Sequence, residues 1–415
     1  MKRAGAMVSS AVMASRALSS AALSVTGMPA GPFAVGVTTL QLDDHARTDP
    51  ESGGPRRLQT EIWYPADPAE TAGLPRNKYS EFLGRGCIPG SLAAAEAPDA
   101  IGGYREGLTI AELDATWPNA AVRDARPCGR CAAPWPLVVF SHGSGAFRAS
   151  YVYWTELLAS HGFVVAACDH LGSARYTQVN GAVVTPGGAR STKAQMEADR
   201  PADVRFVLDA VARLAAGADS RFAGRVDASR CALTGMSFGG WATAAALELG
   251  ADPRVKCAIL QCPSLAMSGR AKLADARADR ATPVMVMLGT EDTVIGAAGN
   301  EAGRQYARGH EGPSYLVEIA RGGHVSFTSC ELYNAEYGNG IGTSCDSLTA
   351  PGEKYAPLPI AKQHEIINSY ALAFLNTHLR PDPGAPGRAA SAAEFNEEYL
   401  TKSHFGDEVV FESNR

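Results

Sequence analysis

The pentapeptide Gly235-Met236-Ser237-Phe238-Gly239 fits the pattern Gly-x-Ser-x-Gly. That spacing can hold a serine hydroxyl at the tip of a tight strand-to-helix turn, where glycines two residues away on either side avoid steric clash. A serine so placed is a candidate nucleophile for acyl transfer. It needs a base to take its proton, a carboxylate to orient the base, and N–H donors for the oxyanion that forms. In a chain with 43 glycines the pattern can also arise as an ordinary turn. Its setting argues against that: the apolar run Cys231–Thr234 precedes it and the helical run Trp241–Leu249 follows.

On this arrangement the acid and base follow the serine in the order Asp or Glu, then His. The run Pro283–Leu288 leads into Gly289-Thr290-Glu291-Asp292, which makes Asp292 the candidate acid; Glu291, its neighbour, should point elsewhere. Among the nine histidines, His310, His324, His364, His378 and His404 come after Asp292. Only His324 follows a strand run, Leu316–Ile319, through a turn, Ala320-Arg321-Gly322-Gly323, whose paired glycines suggest mobility. For the oxyanion the expected donors are the backbone N–H of Phe238, next to the nucleophile, and of Ser144. Ser144 lies in the loop Phe140–Phe147, where Gly143 and Gly145 permit unusual backbone angles. His142 stands at a strand end well before the serine, and a structural role in the loop is expected of it. No His/Asp/Glu cluster has metal-ligand spacing, Asp169-His170 reads as a structural turn, and Gly143–Gly145 lacks the Lys-Ser/Thr of a nucleotide loop. Neither metal nor cofactor is expected.

The elements that must position these residues form a regular series. Leu137–Phe140, Phe163–Cys168, Cys231–Thr234, Val255–Leu260, Val284–Leu288 and Tyr315–Ile319 are unbroken apolar runs, the pattern of strands buried on both faces. Helical patterns at Tyr151–Ser160, Pro201–Ala215 and Phe238–Leu249 separate several of them, and Gln363–His378 is a last amphipathic helix. Alternation of this kind implies an α/β domain: a mostly parallel central sheet with helices on both faces. Val35–Leu42 and Leu58–Tyr64 alternate instead and read as an N-terminal antiparallel strand pair. The expected domain spans 32–380, with an insertion at 67–134 that carries short helices, one near Ile110–Trp117, and with a tail at 381–415 packed on the surface or frayed.

Across the 415 residues, 38 are basic and 43 acidic, for a net charge of −5, which excludes the basic footprint of a nucleic-acid binder. No apolar run is long enough to span a bilayer. Residues 1–31 are basic and rich in Ala and Ser; they read as a targeting segment or as an extension from an upstream start, the former favouring a secreted or periplasmic location over the cytoplasm. Of nine cysteines, Cys168, Cys231 and Cys257 fall in strand runs as buried hydrophobes. Cys330 and Cys345 could close their Gly/Asn-rich loop as a disulfide in an oxidising compartment, and Cys128 and Cys131 fit a loop disulfide or two thiols.

Val139-Phe-Ser-His-Gly-Ser-Gly-Ala-Phe-Arg148, Ser160-His-Gly-Phe-Val-Val-Ala-Ala167 and Gly235-Met-Ser-Phe-Gly-Gly240 resemble the platelet-activating-factor acetylhydrolase family of serine α/β-hydrolases. Thr60-Glu-Ile-Trp-Tyr-Pro65 and Arg200-Pro-Ala-Asp-Val204 look more like the related dienelactone-hydrolase-like proteins. The resemblance implies the α/β-hydrolase fold and ester hydrolysis by a Ser237–Asp292–His324 triad with oxyanion donors at Ser144 and Phe238. Two departures bear on the substrate: Met236 stands where the phospholipid-cleaving members usually have His, and Ser144 where they usually have Leu. Dienelactone hydrolases proper use Cys where this chain has Ser237. The expected substrate is a small-molecule, lipid or polymeric ester, with Phe147, Trp241 and the insertion as candidates for lining its pocket or for core packing. Amide hydrolysis or acyl transfer would use the same triad, and a silent binding protein on this fold is the remaining alternative. Oligomeric state is left open.

Overall fold

The computed structural model describes residues 27–83, 110–117, 119–129, 134–217, 220–268, 281–330, 333, 337–380 and 394–414. The strands of the main sheet, in chain order, are β1 (Ala34–Thr48), β2 (Pro55–Ala66), β3 (Val122–Arg123), β4 (Trp135–Ser141) and β5 (Val164–Cys168). They continue as β6 (Val226–Met236), β7 (Val255–Gln261), β8 (Val284–Gly289), β9 (Ser314–Ile319) and β10 (Val409–Asn414). In space the ten strands run β10-β9-β8-β7-β6-β4-β5-β2-β1-β3. The six central strands, β9 to β5 in that order, are parallel, as their continuous apolar sequences require. β2 pairs antiparallel with both β1 and β5, so the N-terminal pair extends the sheet.

Five helices cover it: α1 (Val152–Ser160), α2 (Lys193–Ala216), α3 (Phe238–Glu248), α4 (Gly296–Arg308) and α5 (Ile360–Leu379). α2 begins eight residues before Pro201, where the sequence alone suggested its start, because the Thr192 hydroxyl accepts from Gln195 N–H (3.3 Å) and caps the helix there. α4 was not foreseen. Its buried positions are mostly small, among them Gly299, Ala302, Gly303 and Ala307, so the apolar signal is weak.

The described parts of the insertion hold three short helices, one at Ile110–Thr116, and strand β3 at the sheet edge. Residues 1–26 lie outside the described chain; the residues that follow pack on the domain, with Gly31 N–H donating to Ser160 Oγ (2.9 Å). Of the expected tail, residues 394–414 are described, and their last part is built into the sheet. β10 pairs antiparallel along the whole of β9, Ile319 opposite Val409 through Ser314 opposite Asn414. Cys330 and Cys345, which could have closed their loop as a disulfide, each keep a thiol, Cys330 near Thr328 O (3.3 Å) and Cys345 near Ile341 O (3.1 Å). Cys128 is disulfide-bonded, and Cys131 lies outside the described residues. Among the described residues no helix is long and apolar enough to cross a membrane.

Candidate active site

Because β4, β6, β8 and β9 are parallel and lie close together in the sheet, with β7 between β6 and β8, their carboxyl ends deliver four loops to one side, the usual location of a site in an open α/β sheet. Ser237 follows β6 and caps α3 with φ 57° and ψ −119°, a strained conformation for a residue with a side chain. Its N–H donates to Gln261 O (2.8 Å), and its carbonyl accepts from Trp241 N–H and Ser264 N–H (both 3.1 Å), so the turn is held from three sides. Gly239 explains the glycine two residues on: a Cβ there would sit 2.0 Å from Ser141 O, on the neighbouring strand.

Asp292, fully buried, lies three residues beyond β8. Its Oδ1 accepts from Val294 N–H (2.9 Å) and Ile295 N–H (3.0 Å), leaving Oδ2 to receive His324 Nδ1–H at 2.6 Å. That bond sets the tautomer, so Nε2 is the nitrogen free to accept a proton. His324 Nε2 is buried and has no hydrogen-bond partner among the described residues. Ser237 and His324 line one pocket together with Gly143, Ser144, Tyr151 and Met236, among others.

The Gly322-Gly323 turn is held rather than hinged. His324 N–H donates to Asn339 Oδ1 (2.8 Å) and Gly323 N–H to Ser326 Oγ (3.2 Å), and a Cβ on Gly323 would meet the Asn339 carbonyl carbon at 2.1 Å. Close packing, not mobility, is what these glycines supply.

Glu291 points away from His324, toward the 347–349 segment, where it accepts from Leu348 N–H (2.5 Å), Ser347 Oγ (3.0 Å) and Thr349 Oγ1. His142 is structural: its Nδ1–H donates to Gly143 O (2.7 Å) and its Nε2 accepts from His170 N–H (3.1 Å). Burial, then the Arg200 charge and the nearby His170, keep it neutral by driving its pKa well below the usual histidine value. Of the expected oxyanion donors, Ser144 lies on the loop after β4 and Phe238 opens α3 next to Ser237. Neither backbone N–H donates a hydrogen bond among the described residues.

Sequence reasoning missed three features. Cys262, at φ 39° just past β7, brings its thiol beside Asp292; donor atoms of Cys262, Asp292 and His324 lie within 4.8 Å of one another. These are the described donors that could hold an ion, although Asp292 and His324 are already committed to each other. Second, Phe147 and Trp241 do not line the pocket. Phe147 packs on Tyr79 and Tyr176, and Trp241 stacks on Phe238 (5.2 Å), while Tyr333 and Tyr337 from the segment after His324 form the aromatic wall. Third, a buried charge chain supports the loops from below. Arg56 grips Asp203 with two bonds (2.7 and 2.8 Å), Asp203 accepts from His170 Nδ1–H (2.9 Å), and His170 Nε2 accepts from Ser141 Oγ–H (2.8 Å). Burial pushes the Asp203 carboxyl up, but Arg56, His170 and Arg47 outweigh it and hold the group ionised. The contacts of this charge chain join residues far apart in sequence, so no spacing signals them.

Comparison with known proteins follows the same lines. The family model described as platelet-activating factor acetylhydrolase, isoform II, matches residues 24–184, which include the Ser144 loop but not Ser237, Asp292 or His324. The platelet-activating factor acetylhydrolase of Bos taurus is 34% identical over 155 residues, covering 35% of this chain and 29% of the relative. That of Canis lupus familiaris is 32% identical over 155 residues, with the same coverage. The match thus spans less than a third of these relatives' own length. A ferulic acid esterase from Streptomyces cinnamoneus superposes with TM-score 0.63 over 93% of this chain and 98% of its own, at 24% identity, and shares the fold. The chain therefore resembles the platelet-activating factor acetylhydrolases over its N-terminal part and has the α/β-hydrolase fold that it shares with the esterase.

Proposed function

We propose that the protein hydrolyses carboxylic esters through an acyl-enzyme on Ser237. His324 Nε2 takes the hydroxyl proton, Oγ attacks the ester carbonyl, and the alcohol leaves on the proton His324 returns. Water then repeats the sequence to release the acid. Asp292 holds the imidazole and stabilises it once protonated, and the N–H groups of Ser144 and Phe238 receive the oxyanion. The observation that carries this reading is the pairing of a strained Ser237 with a His324 whose Nδ1 is bound to Asp292 at 2.6 Å and whose Nε2 is left open on the same pocket.

The pocket also bears on the substrate. Its described lining carries no Asp, Glu, Lys or Arg, and Tyr151, Tyr333, Tyr337, Val294, Val325 and Ala146 make half of the wall. Such a wall suits an uncharged, apolar acyl group. The relatives point the same way, being named for acetyl and ferulic esters.

The test is a p-nitrophenyl ester series from acetyl to palmitoyl with Ser237→Ala as control. The expected result is turnover of the short esters that the substitution abolishes while the thermal midpoint stays near wild type. Activity that survives Ser237→Ala would overturn the reading.

A further inference from the structure

Arg200, on α2, is fully buried. The buried Arg56 and Arg148 each meet a carboxylate, at 2.7 and 2.5 Å. Among the described residues Arg200 hydrogen-bonds none. Its Nη1–H donates to His142 O (2.6 Å), Nη2–H to Gly143 O (3.3 Å), and Nε–H to Ser173 Oγ (3.0 Å), with a second bond from Nη2 to the same hydroxyl. Its guanidinium carbon lies 4.5 Å from the centre of the Phe238 ring. A buried cation held by carbonyl dipoles and a ring face is expensive, and a methionine would fill similar space without the cost. What the charge obtains in return is the orientation of two successive peptide groups.

A trans peptide is planar, with C=O and N–H pointing in opposite directions. Where the His142 carbonyl turns to Arg200, the Gly143 N–H must face the other way, and it does: it donates to Tyr151 Oη (2.9 Å), a pocket residue. The next unit repeats the pattern. The Gly143 carbonyl accepts from Arg200 and from His142 Nδ1–H, so the Ser144 N–H is turned to the opposite side, where Gly143, Ser144, Tyr151 and Ser237 line the pocket. Arg200 thus touches the peptide unit that contains one expected oxyanion donor and the side chain of the residue that supplies the other.

We propose that Arg200 is the positioning residue of the oxyanion hole, aiming the Ser144 N–H through two carbonyls and steadying Phe238 through its ring. The inference rests on the ester-hydrolase reading of Ser237.

The test measures kcat and KM for p-nitrophenyl acetate, and the rate at which a fluorophosphonate modifies Ser237, in wild type, Arg200→Lys, Arg200→Met and Ser173→Ala. The phosphonyl oxygen occupies the same hole, so the second readout does not depend on having the right ester. In Arg200→Met, kcat and the phosphonylation rate should fall together by about 10²- to 10³-fold, the size of one lost oxyanion donor, with KM changed only slightly. Arg200→Lys and Ser173→Ala should fall between. Should Arg200→Met fail to fold, Ser173→Ala, which only frees the guanidinium, decides the matter.

Folded variants with wild-type kcat and phosphonylation rate, or a loss confined to thermal stability or to KM, would overturn the proposal while leaving the esterase reading intact. A wild-type protein that neither turns over esters nor labels at Ser237 would overturn the esterase reading first and the proposal with it.

Discussion

Asp292 and Glu291 are adjacent in the chain but face in opposite directions, and their partners separate their roles. Asp292 has one oxygen on two backbone N–H groups and the other on His324, whereas the Glu291 carboxylate, among the described residues, accepts from the 347–349 segment. Asp292→Asn would leave the packing nearly unchanged but put an amide where Nδ1–H needs an acceptor. By analogy with other Ser-His-Asp triads, kcat should drop about 10⁴-fold. Glu291→Gln should leave kcat within a few-fold and lower stability by about 1–2 kcal/mol, because part of a charge-assisted set of bonds is lost. Steady-state kinetics and thermal melts on the two variants check this; equal losses of kcat would contradict the assignment of the acid. At this scale Ser237, Asp292 and His324 could be read from sequence because each follows an apolar run within five residues or fewer. Arg200 and Cys262 could not, because their partners lie on other strands and loops. His142 falls between: its strand-end position suggested a structural role, and its bonds to Gly143 and His170 supply one.

At the scale of elements, the site depends on how closely β4 approaches the start of α3. Gly239 is the contact point, with Ser141 O at 2.0 Å and His142 O at 2.7 Å from any added Cβ. Gly239→Ala must push α3 away from β4, a form of overpacking that costs about 1–3 kcal/mol or more. The shift separates Ser237 from the Ser144 loop, and a displacement near 1 Å can cost about 10²-fold in rate. Gly54→Ala is the control: it lies in the β1–β2 connection with only Ser52 Oγ near (3.7 Å), and stability should change by less than about 0.5 kcal/mol. Activity retained in Gly239→Ala would mean that this contact does not set the geometry. The parallel strands were legible because apolar runs buried on both faces leave a plain signal. The start of α2 was not, since a proline at 201 suggests a first turn more strongly than a threonine cap nine residues upstream does.

At the scale of the whole molecule, the C-terminal segment closes the sheet on the side that carries His324. β10 pairs with β9 along its length, Ala320 N–H donates to Glu408 O (2.9 Å), and Phe411 stacks on Tyr370 of α5 (5.3 Å). The sequence did not announce this strand, because a short run within a polar tail looks the same whether or not an edge awaits it. Truncation after Arg380 would expose β9 as an edge, so a lower thermal midpoint and concentration-dependent association are expected. Ester turnover should fall as well, since β9 leads directly into the His324 turn. A truncated protein that melts and sediments like the full chain would show that β10 is dispensable.

The most direct test of the proposed chemistry follows the covalent intermediate itself. Rapid mixing with p-nitrophenyl acetate, acid quench and peptide mass spectrometry should give a burst of p-nitrophenolate matched by an acetyl group on Ser237. Asp292→Asn should slow that burst, and Ser237→Ala should abolish it. Hydrolysis that proceeds with Ser237 unmodified at every quench time, and continues in Ser237→Ala, would contradict the assignment of Ser237 as the nucleophile.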